Sequence, residues 1–105
     1  MGKPKAKAYS IHIHHGLDLV DPFNDNVDLE VRFEDGSRYA ATFFTLNNLK
    51  SLLEKYSKTG ECKHGLYLWA SDMVIVRELT QTCISETVED LVAKGEMEAA
   101  FSKLS

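Results

Sequence analysis

Three of the four histidines in this sequence fall together, at His12, His14 and His15. Residues two apart on a strand point to the same face, so His12 and His14 are expected to stand side by side. A His-x-His pair can offer two imidazole nitrogens to zinc, copper or iron, and such a metal needs a third or fourth ligand. Cys62 and His64 form a second pair with the same spacing, in a Gly-bounded segment able to bend toward the first strand. The candidate metal set is therefore His12, His14, His64 and Cys62, with zinc as a representative ion and Asp18 and Asp21 as further oxygen donors. Neither pair has the Cys-x-x-Cys spacing of a structural zinc site. Polar histidines on the wet face of an edge strand are the simpler account, and on that account no cofactor is expected. Histidines facing a pocket would instead make a pH-sensitive binding site.

Other chemistry is harder to seat. Asp21, Asn24, Asp25, Asn26 and Asp28 make an oxygen-rich stretch, but the central Gly and terminal Glu of a calcium loop are missing. Turn formation explains these Asp and Asn residues better, because their side chains mimic backbone turns. There is no G-x-S-x-G elbow and no phosphate-binding glycine loop. Cys62 and His64 are too close in sequence to specify a nucleophile–base dyad. Glu34–Asp35 and Glu89–Asp90 read as solvated turn and helix-exterior carboxylates. The expectation is a protein that is not an enzyme.

The elements that must position these residues follow from hydropathy periods. Residues 8–15 alternate as a strand, and residues 16–26 have the composition of a loop, with Leu17, Leu19, Val20 and Phe23 available to fold over the core. Val27, Leu29, Val31 and Phe33 alternate with charged residues. Asp35-Gly36 and a second strand over 38–44 then complete a hairpin. Thr45 is a suitable N-cap for a helix whose apolar positions are Leu46, Leu49, Leu52, Leu53 and Tyr56, stopped by Gly60. Residues 66–70 and 73–76 read as two further strands joined by Ser71-Asp72. Thr80 caps a second helix bearing Ile84, Val88, Leu91 and Val92, and a short helical segment follows Gly95. The order β-β-β-α-β-β-α predicts an α+β fold: a mainly antiparallel five-stranded sheet with helices packed on one face.

Length and composition set the frame. The 105 residues suffice for one domain, with 44% hydrophobic and 27% charged residues marking it as globular. Residues 1–7 read as a basic flexible arm and 8–105 as the domain. The net charge is −4, and Lys3, Lys5 and Lys7 contribute +3, which leaves −7 on the rest. An acidic body is a poor general nucleic-acid binder and suits a basic partner. No apolar run is long enough to span a membrane, and no apolar segment follows the basic start as in a secretory signal. Cys62 and Cys83, far apart, fit free thiols in a reducing cytoplasm.

Phe43, Phe44, Leu66, Tyr67, Leu68 and Trp69 place bulky apolar groups on both faces of the expected sheet. Large open apolar patches are uncommon on monomers, so either the Leu17–Phe23 loop or a second copy should cover one face. A homodimer is the preferred expectation, with Trp69, Tyr67, Phe44 and Asp72 as contact residues, because aromatic side chains dominate interface energetics.

Three segments carry a resemblance: Thr42–Leu46, Thr59–Cys62, and Gly65–Val76, the last reading Gly-Leu-Tyr-Leu-Trp-Ala-Ser-Asp-Met-Val-Ile-Val. Across about residues 27–101 the chain resembles a group of short bacterial hypothetical proteins, some carried on mobile elements such as gene cassettes. That resemblance implies a bacterial, cytoplasmic protein and transfers no catalytic residues. The expected function is a non-enzymatic interaction protein, self-associating, with an immunity, inhibitor or mobile-element accessory role. A metal or small-ligand domain on the His12/His14 strand is the alternative, as is a ligand-binding regulator with a pocket under the Leu17–Phe23 loop.

Overall fold

A computed structural model describes residues 8–104; the basic arm assigned to residues 1–7, like Ser105, lies outside them. The chain forms β1 (Tyr9–Ile13), β2 (Asn26–Phe33), β3 (Arg38–Thr45), α1 (Leu46–Thr59), α2 (Glu61–Gly65), β4 (Met73–Val76), α3 (Gln81–Ala93), α4 (Met97–Ala100) and β5 (Ser102–Lys103). The fold is α+β, with a five-stranded, mainly antiparallel sheet. β1–β2 and β2–β3 are antiparallel, and β4 joins β3 in parallel. β5 pairs antiparallel with Tyr39 and Ala40 of β3. Because β2 occupies one edge of β3, β4 and β5 share the other, β4 along residues 42–45 and β5 along 39–40.

The alternation in β2 sets the layers. Val27, Leu29, Val31 and Phe33 are buried, as are Tyr39, Ala41 and Phe43 of β3. These residues form one core with Val76, Leu79, Ile84, Val88, Met97 and Phe101, so α3 and α4 cover that face. Each fully buried side chain of this size stabilises the fold by roughly 1.5–3 kcal/mol. Leu17 and Val20 pack against the same core, while Leu19 points to solvent at 98% exposure. The 16–25 loop therefore closes the side already covered by α3 and leaves the opposite sheet face open.

Local signals are realised closely. The hairpin closes through Phe33 N–H donating to the Ser37 carbonyl at 2.9 Å and Gly36 N–H to the Phe33 carbonyl at 3.0 Å. Gly36 alone takes a positive φ, +91°, so the turn is a three-residue loop in which Asp35 anchors Ser37 through its carboxylate. Thr45 Oγ1 accepts from Asn48 N–H, and Thr80 Oγ1 from Cys83 N–H, capping α1 and α3. Gly60, at φ +89°, ends α1 by donating to the Tyr56 carbonyl.

Three expectations are corrected. Residues 66–70 form no strand, because the free edge of β3 is already filled by β4 and β5. The fifth strand is instead the Ser102–Lys103 pair, cut from what reads in sequence as a terminal helix. α1 does not join the helices on the core face, since none of its residues is buried.

Candidate interaction surfaces

Residues 46–70 form an arm. The first turns of α1 are tied to the body through Asn26 Nδ2 donating to Asn48 Oδ1 at 2.8 Å and Ser51 Oγ donating to Asn24 Oδ1 at 3.3 Å. Beyond them α1 packs mainly on α2. At 1.5 Å per residue its 14 residues extend about 21 Å. The whole molecule measures 55 × 26 × 24 Å, with a radius of gyration of 15.4 Å. A compact domain of this length has about 13 Å.

The arm is apolar as well as long. Leu49, Leu52, Leu53 and Tyr56 are half-buried, whereas Leu46 is exposed. Leu66 and Trp69 are 74% and 72% exposed, and Tyr67 is also open. Ile75, beside the arm on β4, adds another exposed side chain. A lone exposed leucine needs no explanation, but five large apolar side chains within thirty residues of chain do.

The tip of the arm is strained. Cys62, Lys63 and His64 all lie in the left-handed region, at φ +49°, +54° and +57°, between Gly60 and Gly65, which also have positive φ. For an L-residue with a side chain this conformation costs about 1–2 kcal/mol. Gly65 is required sterically, because a Cβ there would sit 2.3 Å from the Leu53 carbonyl oxygen. The left-handed turn thus lets the chain reverse and lie against α1.

The open sheet face is a second, polar surface. Its cross-strand register aligns His12 with Glu30 and Ala40, and Asp28 with Thr42 and Met73. Two adjoining hollows of about 410 and 210 Å³ share Asp28, Leu29 and Ala40; His12, His14, His15, Glu30 and Arg32 line the larger, and Thr42, Ser71 and Asp72 the smaller. Arg32 Nε donates to Glu30 Oε2 at 2.6 Å, with Arg38 Nη1 at 3.5 Å from the same oxygen. The Arg32 hydrogen bond holds the Glu30 carboxyl below its ordinary range against a smaller opposing effect of desolvation. His12 Nε2 lies 2.8 Å from Ser10 Oγ, and the His14 and His15 rings meet at 4.1 Å between centroids. A shallow third hollow of about 560 Å³ follows the outer side of α3, past Glu78, Glu86 and Asp90.

The residues singled out from sequence part company here. His12 and His14 share the open face, but Cys62 and His64 sit on the arm's left-handed turn. Among the described residues no group of three or more His, Cys, Asp and Glu side chains is arranged to hold a metal ion. Trp69 and Tyr67 are exposed and free to meet a partner. Phe44 is not: it is 6% exposed on a strand paired on both sides. Asp72 is committed within the chain, its carboxylate accepting from Ser102 Oγ and its carbonyl from Thr42 N–H at 3.0 Å, which fastens the seam between β4 and β5. Leu46, Leu66 and Ile75 were not singled out as contact residues, since apolar periodicity reads the same for a core face and a docking face. Asp28, Glu30 and Arg32 were legible as one face of β2, but their grouping with His12 depends on strand register.

No family model, curated protein or solved structure matches the chain. Among the described residues no helix is long and apolar enough to cross a membrane.

Proposed function

We propose that this protein is a non-enzymatic interaction protein that acts as a homodimer, joined through the apolar arm of residues 46–70. The observation that carries this reading is the exposure of Leu66, Tyr67 and Trp69 beside a 14-residue helix with no buried residue. Burying such an arm against a second copy removes apolar surface from water on both chains, and a two-fold arrangement does so with one self-complementary patch. The acidic body is left for a basic protein partner, in keeping with an immunity, inhibitor or mobile-element accessory role. The two free thiols are in keeping with the bacterial cytoplasmic setting expected from the sequence. Trp69→Ala tests the dimer. The substituted chain should keep its circular dichroism spectrum and elute as a monomer where the parent is a dimer. A folded Trp69→Ala chain that associates as the parent does would overturn the proposal.

The open face supports a second reading, a small polar ligand bound across β1–β3. The adjoining hollows carry hydrogen-bonding and charged groups of both signs, from His12, Asp28, Arg32 and Thr42. Its metal-binding version requires thermal stabilisation of untagged protein by zinc, copper or iron, and loss of that gain in His12→Ala/His14→Ala. Equal melting temperatures with and without the ions would remove that version.

A further inference from the structure

We infer that the dimer forms by exchange, with residues 60–65 as the hinge and the segment from β4 to β5 as the element traded between two copies. This rests on the self-association proposed above and specifies how it occurs.

The hinge is marked by its backbone. Three consecutive residues with side chains, Cys62, Lys63 and His64, are held left-handed so that the chain can double back on α1. Short connections under strain invite exchange, because opening them releases the strain while every other contact can be remade with a partner. The traded segment is suited to this. β4 meets β3 along the 42–45 register and β5 along residues 38–40, so both leave by uncovering one edge of one strand, together with the Leu79 N–H bond to the Pro22 carbonyl at 2.8 Å. The core residues Val76, Leu79, Ile84, Val88, Met97 and Phe101 lie in that segment and travel together. The body left behind then presents the edge of β3 and an open core. The partner that carries the complementary edge and matching side chains is a second copy of this chain. Opening at 60–65 also frees α1 from the turn that lies against it, so the Leu49, Leu52, Leu53 and Tyr56 stripe of one copy can pack on that of the other.

Two substitutions in the same turn give opposite signs under exchange. Lys63→Gly/His64→Gly removes the cost of the closed turn, since glycine accepts positive φ, and should weaken the dimer about tenfold or more by favouring the closed monomer. Gly65→Ala blocks the closed turn, through both its φ of +79° and the approach of Leu53 O, and should strengthen the dimer. Association is read by sedimentation equilibrium, and folding of each variant by circular dichroism. Mixing tagged and untagged dimers gives an independent readout. Exchange requires β3 and β4 to separate, so mixed dimers should appear far more slowly than the dissociation of a surface-docked pair. A dimer whose affinity is unchanged by Lys63→Gly/His64→Gly, or one that mixes as fast as it is diluted, overturns the exchange while leaving self-association intact. A parent chain that stays monomeric at every concentration overturns both.

Discussion

Phe43 and Trp69 are both large aromatic residues in apolar surroundings of sequence, and the fold uses them in opposite ways. Phe43 is fully buried and its ring meets Phe101 at 5.9 Å between centroids. Phe43→Ala should therefore cost about 3–5 kcal/mol, seen as a lower urea midpoint. Trp69 touches little of its own chain, so Trp69→Ala should change the stability of the monomer by no more than about 0.5 kcal/mol, measured at low protein concentration. Residue type does not separate the two in sequence; strand pairing does, because β3 is flanked on both sides and residues 66–70 lie outside the sheet. Phe44, 6% exposed, stands on the sheet face opposite Phe43 and outside the core. The histidines were legible as neighbours on a strand, and their companions Glu30 and Arg32 only after register was known. Arg32→Ala should let the Glu30 carboxyl rise toward its ordinary range, followed by NMR titration of its side-chain carbons. Since the folded-state pKa of Glu30 is depressed, its contribution to stability is present above the unfolded-state pKa. That contribution is lost as pH falls through the folded-state value, and Arg32→Ala should flatten that acid limb.

At the level of elements, caps and turns were readable because they depend on a few adjacent residues. Thr45, Thr80, Gly36 and Gly60 sit where their chemistry requires. Thr45 does more than cap α1, since its hydroxyl also accepts from Asp25 N–H at 3.2 Å. Thr45→Ala should cost about 1–2 kcal/mol and loosen the joint between arm and body, checked by urea unfolding and by faster amide exchange in residues 46–51. The strand expected at 66–70 is missing for a reason that composition does not carry. An apolar run becomes a strand only where an edge is available, and the edge of β3 goes to β4 and to two residues from the far C-terminal end. α1 was recognisable as an amphipathic helix, but periodicity names an apolar stripe without saying what covers it.

Across the whole molecule, the α+β class and the mainly antiparallel sheet followed from element order, whereas the extended shape did not. The order β-β-β-α-β-β-α predicted helices packed on one face, whereas α1 contributes no residue to the core that α3 and α4 cover. The left-handed turn at 60–65 and the polar open face together decide the shape. Asp28, Glu30, Arg32 and Arg38 make most of that side polar, with Phe44 buried on it next to the start of α1, and α3 with α4 fills the other. What remains is a body with one core and an arm on which Leu46, Leu66, Tyr67 and Trp69 stay exposed. The most direct test is the solution mass by light scattering coupled to size exclusion, over a wide range of concentration. Burial of the arm by a second copy predicts a mass of twice 11.8 kDa that holds on dilution toward the dissociation constant. A mass of 11.8 kDa at every concentration would contradict it.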